Sequence, residues 1–172
     1  MENNKLSTAT VRRAKKEDLP AIVEIYNQAI LRTTATFDTE EKTWEDQIPW
    51  WNSHNDRLPI FVALREGKVV GWASLSAFSD RCAYYQSAED SLYIHEDFRG
   101  QGLGRLLLAA VITHAQTTDI HTIISRIAED NPVSLALHEA FGFVIKGTLT
   151  EVGFKFGKYI DVHYCQWSRN LL

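Results

Sequence analysis

The sequence predicts an α/β (α+β) domain built on a single mixed, mostly antiparallel central sheet flanked by helices. Three observations predict it. β-rich runs alternate with amphipathic helical runs along the chain. Two of these runs are joined by a tight Glu66-Gly67-Lys68 turn, which makes them antiparallel neighbours. Mid-chain, a glycine-rich turn leads a strand directly into a helix. No linker, repeat or shift in composition divides the sequence, so residues 1–172 are expected to form one domain.

Residues 10–14 predict a first strand. Asp18, Leu19 and Pro20 open a helix, because an acid and a proline are both favoured in a first turn. Ile22, Ile25, Tyr26, Ala29 and Ile30 carry that helix at helical spacing. Residues 32–41 hold four threonines and no apolar period, which predicts a loop. Thr43 is expected to cap a second, short helix through Trp44, Trp50 and Trp51, with Pro49 bending or ending it. Residues 60–65, 69–78 and 91–94 predict strands, and residues 102–117 the helix after the glycine turn. Residues 121–127 predict the next strand. Asn131 and Pro132 then open a helix that Gly142 stops. Residues 144–150 and 159–167 predict the closing strands.

Apolar residues make up 45% and charged residues 23%, as in an ordinary soluble globular protein. The net charge of −4 argues against a nucleic-acid partner, which needs a basic surface, but leaves room for an anionic small ligand. Cys82 and Cys165 have no pairing or metal-type spacing, so they are expected to be free thiols in a reducing compartment. The six histidines also lack metal spacing, and no metal is expected. The first ten residues are polar, without the apolar core of a signal peptide. The apolar run at residues 106–112 is far short of the ~20 residues of a membrane span. The expectation is a cytoplasmic protein with no membrane partner.

The most informative segment runs from Ser91 to Arg105. Glycines let a backbone approach a ligand closely, and the first N–H groups of a helix lack internal partners. Such a turn, flanked by Arg99 and Arg105, is suited to an anion. The spacing is Gly-x-Gly-x-Gly, which is not the dinucleotide pattern, and no Gly-Lys-Ser/Thr follows as a P-loop requires. A tight turn without a ligand and a phosphate cradle both remain. The residues alone locate an anion site without choosing among phosphates.

Arg99-Gly100-Gln101-Gly102-Leu103-Gly104 resembles the Arg/Gln-x-x-Gly-x-Gly/Ala signature of the GCN5-related N-acetyltransferase superfamily. Tyr26-Asn27, Thr33 to Thr36, Arg81 to Tyr84, Glu89 to Ile94, Asn131 to His138, Gly142-Phe143 and Lys155 to Asp161 are similar to its phosphinothricin N-acetyltransferase group. The resemblance runs from about residue 11 to residue 167.

It implies the superfamily fold and acetyl-CoA as co-substrate. The pantetheine arm would pair with Leu92, Tyr93 and Ile94, with the Ile94 N–H aimed at the thioester carbonyl. The pyrophosphate would rest on Gly100, Gln101, Gly102, Leu103, Gly104 and Arg105, beside Arg99. Asn131 and Ser134 match positions near the CoA arm, although Asn131 would also serve as a helix cap. His138 stands where many relatives carry a tyrosine that protonates the departing thiolate; its other reading is a packed residue beside Phe141.

Glu89 is the candidate base, since the attacking amine must lose a proton. On an alternating strand its neighbour Asp90 should face the other way. Arg81 and Tyr84 match a segment expected to bind the acceptor, the guanidinium taking a carboxylate. Lys155, with Phe156 and Asp161, falls in the acceptor cleft or at a dimer interface.

The implied activity is acetylation of the α-amine of a small amino-acid-like substrate of the phosphinothricin, methionine sulfone or methionine sulfoximine type. It would proceed by direct attack in a ternary complex; Cys82, beside Arg81, is the residue that invites a covalent alternative. A polyamine, an aminoglycoside or a protein N-terminus is the alternative acceptor, and a non-catalytic acyl-CoA-binding domain the alternative class. Relatives suggest a homodimer joined through the carboxy-terminal strands.

Overall fold

The computed structural model describes residues 9–169. The reading of the polar amino terminus bears mainly on residues 1–8, which lie outside the described residues. The elements follow the order β1 (Thr10–Arg13), α1 (Leu19–Arg32), α2 (Ile48–Asn52), β2 (Ile60–Arg65), β3 (Lys68–Ala77), β4 (Ser87–Ile94), α3 (Leu103–Thr117), β5 (Thr122–Ala128), α4 (Pro132–Glu139), β6 (Val144–Lys155) and β7 (Lys158–Ser168). The seven strands make one sheet in the order β1-β2-β3-β4-β5-β7-β6. Only β4 and β5 run parallel; every other neighbouring pair is antiparallel.

Side-chain alternation gives each face of the sheet its own core. On one face α1 lays Ile22 and Ile25 against Ile60, Val62 and Trp72, with Tyr26, Trp50 and Tyr93 at the margin. On the other, α3 buries Leu103, Leu107, Leu108 and Val111 against Leu75, Ala88, Ile123 and Phe143. The start of α1 is fixed by Asp18, which Arg12 grips through two nitrogens at 2.7 and 2.9 Å and the Lys15 N–H at 2.7 Å. Burial alone would raise the Asp18 pKa; the Arg12 guanidinium and the Lys15 N–H outweigh it and hold it below the ordinary value.

Three elements differ from the sequence reading. Thr43 and Asp46 bond each other's backbone N–H groups, but this closes a separate turn. The helix proper is α2, with Pro49 in its first turn, where the missing N–H costs nothing. Pro49 therefore starts a helix that it was expected to bend or end. β4 begins at Ser87, four residues earlier than expected, because Ser87, Ala88 and Glu89 pair with Thr122, Ile123 and Ile124 of β5. β6 and β7 form a longer hairpin, turned at Phe156 and Gly157, whose φ values are 52° and 77°. Register shifts at Ile145/Gly147 and Leu149/Gly153 interrupt the alternation of β6 and hide its length in the sequence.

The feature that positions the site is the parting of β4 and β5. Their pairing stops at Glu89 and Ile124, although β4 continues to Ile94 and β5 to Ala128. Beyond that point β5 is held by β7 alone, through to Ala128 opposite Val162. The α3 core anchors both strands from one face. Leu107→Ala, at a fully buried position, is therefore expected to lower unfolding free energy by about 2–5 kcal/mol. A urea titration reads this as a lower midpoint.

Candidate active site

A cleft of about 550 Å³ opens where the two strands part. Its walls are β4, β5, the loop around Thr34 to Asp38, the first turns of α4, and Val152, Val162 and Tyr164 of the last hairpin. The floor includes open backbone. His95 donates its N–H to the Val70 carbonyl of β3, so by alternation Tyr93 also turns its main chain to β3. Leu92 and Ile94 then turn their N–H and C=O groups into the gap left by β5. Arg99 Nε reaches the Ile94 carbonyl at 3.3 Å, which ties the glycine turn to this edge.

The two carboxylates at the start of the gap face opposite sides. Glu89 lies on the α1 side, where Arg126 Nε donates to its Oε1 at 2.7 Å and a second guanidinium nitrogen bonds the same oxygen. Burial disfavours the Arg126 charge, but the hydrogen bond and charge of Glu89 prevail and keep its pKa above the ordinary arginine value. Asp90 points to the α3 side, as alternation predicted, yet it too lines the cleft. It accepts from Ser125 Oγ and stands 3.0 Å from His138 Nε2.

His138 is only 3% exposed. Its Nδ1 lies 2.8 Å from the Ser134 carbonyl. A carbonyl and an ionised carboxylate can only accept, so this setting favours the imidazolium form of the ring, with a proton on each nitrogen. Its pKa moves accordingly: burial pushes it down, the hydrogen bond and charge of Asp90 push it up more, and the net direction is upward. The ring stands edge-on to Phe143 at 5.0 Å, whereas Phe141 lies under the Arg105 guanidinium instead. Asn131, Ser134 and His138 all line the cleft from one face of α4, and Asn131 caps that helix by accepting from the Ser134 N–H at 3.1 Å.

Neutral donors hold the loop wall. Tyr26 Oη bonds Asp38 Oδ2 at 3.0 Å and lies 2.9 Å from Thr36 Oγ1; Tyr93 Oη donates to the Ala35 carbonyl at 3.4 Å. Burial pushes Tyr26 up to about 12, with Asp38 adding to it, and raises Tyr93 further. From behind the wall, buried Lys155 Nζ donates to the Thr36 carbonyl at 2.7 Å. Burial lowers its pKa, against the charge of Asp38.

The glycine turn leaves β4 and enters α3. Gly102, at φ 81°, is the residue before the helix. Gly104 lets α4 pack closely, since a Cβ there would lie 3.1 Å from the Leu137 side chain, which would have to shift slightly. The N–H groups of Leu103, Gly104 and Arg105 open the helix ahead of Leu106, which bonds the Gly102 carbonyl.

Not every expected residue meets in the cleft. Glu89, Leu92, Tyr93, Asn131, Ser134 and His138 do. Arg81 and Tyr84 sit on an exposed turn before β4, with Tyr84 stacked edge-on to Phe78. Lys155 supports the wall, and Cys82 lies on the exposed turn. Sequence reasoning missed Ser125, Arg126 and Asp38. An arginine inside the apolar run Ile123 to Ala128 was the available signal for Arg126. Among the described residues no cluster of His, Cys, Asp or Glu could hold a metal ion.

Residues 20–143 match the Acetyltransferase (GNAT) family. The L-amino acid N-acyltransferase MnaT of Escherichia coli is 34% identical over 158 residues, 91% of this chain and 92% of its own. A phosphinothricin N-acetyltransferase of Streptomyces coelicolor is 36% identical over 156 residues, 88% of this chain and 91% of its own. The crystal structure of a phosphinothricin acetyltransferase from Sinorhizobium meliloti in complex with acetyl-CoA superposes with a TM-score of 0.89 at 35% identity. That match covers 94% of this chain and 88% of the other. A strand pair opening onto a glycine turn thus belongs to an acyl-group transferase, and this chain is a member of the GNAT acetyltransferase family. Its acyl donor is acetyl-CoA.

The raised pKa of His138 has a stability consequence with a definite sign. The ion pair contributes fully below the unfolded histidine value of about 6.5, and the contribution is lost as pH rises through the raised folded value. Asp90→Asn is expected to lower unfolding free energy by about 3 kcal/mol near pH 6, with a smaller loss at higher pH. Urea titrations across that range would show a constant gap if His138 were neutral throughout.

Proposed function

We propose that the protein transfers the acetyl group of acetyl-CoA to the α-amine of a small amino-acid-like acceptor, of the phosphinothricin, methionine sulfone or methionine sulfoximine type. The supporting observation is the placement of Glu89 and the His138 imidazolium on opposite sides of the gap where the β4 backbone lies open. The amino-acid and phosphinothricin activities named for its relatives support the acceptor class.

Leu92 and Ile94 pair with the pantetheine arm, and the turn from Gly100 to Arg105, flanked by Arg99, takes the pyrophosphate on its free N–H groups. Asn131 and Ser134 border the arm from α4. The amine enters from the α1 side, where Glu89 removes the proton that aliphatic amines carry at neutral pH. Attack opens the thioester C=O to an oxyanion, which the Ile94 N–H stabilises, and forms the C–N bond; the nitrogen then gives up its second proton to Glu89, which has passed the first to solvent. Collapse breaks the C–S bond, and His138 gives its proton to the leaving thiolate. Arg81 and Tyr84 hold the far end of the acceptor, and Lys155 fixes the wall it lies against.

Cys82 takes no covalent part, being on the exposed turn. Exposed Leu149, Val152, Phe154 and Tyr159 on the last hairpin support a homodimer, and the two free thiols support a reducing, cytoplasmic setting. A second reading, a polyamine acceptor, draws on the three carboxylates Asp38, Glu89 and Asp90 in the cleft wall.

In a free-thiol release assay, turnover is expected with amino acid analogues, and Glu89→Gln is expected to slow kcat about 100-fold. Tight CoA binding without turnover on any amine would sink the catalytic reading. The alkaline limb of kcat should lie above the ordinary histidine range, and Asp90→Asn, which leaves burial largely unopposed, should move it down. An unmoved limb would remove His138 from the proton path.

A further inference from the structure

An amino acid brings a carboxylate into a cleft that already holds three. Asp38, Glu89 and Asp90 line the walls, and Asp90 alone is neutralised from the α3 side, by His138. Among the described lining residues, Arg126 is the one lysine or arginine. It stands on the same face as Glu89, because Ile123 and Ile127 on either side turn into the α3 core.

We infer that Arg126 grips the carboxylate next to the amine being acetylated, and so restricts the acceptor to α-amino acids. The inference rests on the reading of Glu89 as the group that meets the amine. Both of its bonds to Glu89 go to a single oxygen, Oε1, so Glu89 keeps Oε2 for an ammonium group, while Tyr164 takes a further bond from the guanidinium. A guanidinium has five N–H donors in a flat fork, so these bonds leave others for a second carboxylate. The Arg126 side chain is 54% exposed, and its outer edge is reachable from the cleft. Carboxylate and guanidinium thus lie side by side at hydrogen-bond distance, in reversed polarity to the ammonium and carboxylate of an α-amino acid. As an arginine, this cation stays charged at any pH at which the amine reacts. A polyamine gains nothing from Arg126 and is repelled by it.

The test compares methionine sulfone with the same amine lacking its carboxylate, 3-(methylsulfonyl)propylamine. Free-thiol release would be measured for the wild type, Arg126→Met and Arg126→Lys, with KM for acetyl-CoA as the control for an intact fold. The wild type should favour the amino acid. Arg126→Met should cut the kcat/KM ratio between the two acceptors about 10–100-fold, mostly through KM for the amino acid, and Arg126→Lys should restore part of it. Equal losses on both acceptors would overturn the inference while leaving Glu89 chemistry intact. Wild-type turnover of polyamines but of no amino acid would instead overturn the acceptor reading, and the inference with it.

Discussion

Two parallel strands that separate after a few paired residues leave backbone donors and acceptors that must find other partners. In this protein β4 loses β5 after Glu89, and the main-chain groups of Leu92 and Ile94 face a gap. A buried gap of that kind would be costly without partners, and a ligand with amide groups can supply them. The gap persists because each strand is held elsewhere. β4 keeps its full ladder with β3 from Ala88 to Ile94, and β5 keeps its own with β7. The cleft is thus a missing stretch of sheet, held open by complete pairing on both flanks.

Alternation on β4 then divides the work of the site. Adjacent residues on a strand point to opposite faces, so the Glu89-Asp90 dipeptide supplies one carboxylate to each side of the gap. On one side the carboxylate meets a guanidinium and remains partly accessible. On the other it is sealed against an imidazolium and a serine hydroxyl. The same chemical group is therefore partly open on one side of the sheet and enclosed on the other.

Much of this was legible in the sequence. Pro20, Asn131-Pro132 and the glycine turn mark three helix starts through local backbone chemistry, which does not depend on distant contacts. Glu89, Asn131, Ser134 and His138, which line the cleft, were singled out by the family resemblance. The longer β4 did not, because Ser87 to Glu89 become a strand only by pairing with β5, a partner distant in sequence. Pro49 was misread because its effect depends on whether it falls at the first turn of a helix or inside it. Arg126 was missed for a similar reason: one charged residue in an apolar run acquires meaning only when the register with β4 places it beside Glu89.

The loop wall carries a consequence for the conditions under which the enzyme can operate. An amine acceptor becomes a better nucleophile as the medium turns alkaline, and a wall fastened by ammonium-to-carboxylate pairs would loosen over that interval. Here one such pair, Lys42 with Asp38 at 3.4 Å, is backed by phenol hydroxyls, one of which keeps its proton to about pH 12, and by a lysine bonded to a carbonyl. A deprotonated lysine still has N–H groups to donate, so the Thr36 carbonyl keeps its partner whichever form is present. Most of the fastenings of this cleft wall therefore outlast the charge changes that make an amine reactive.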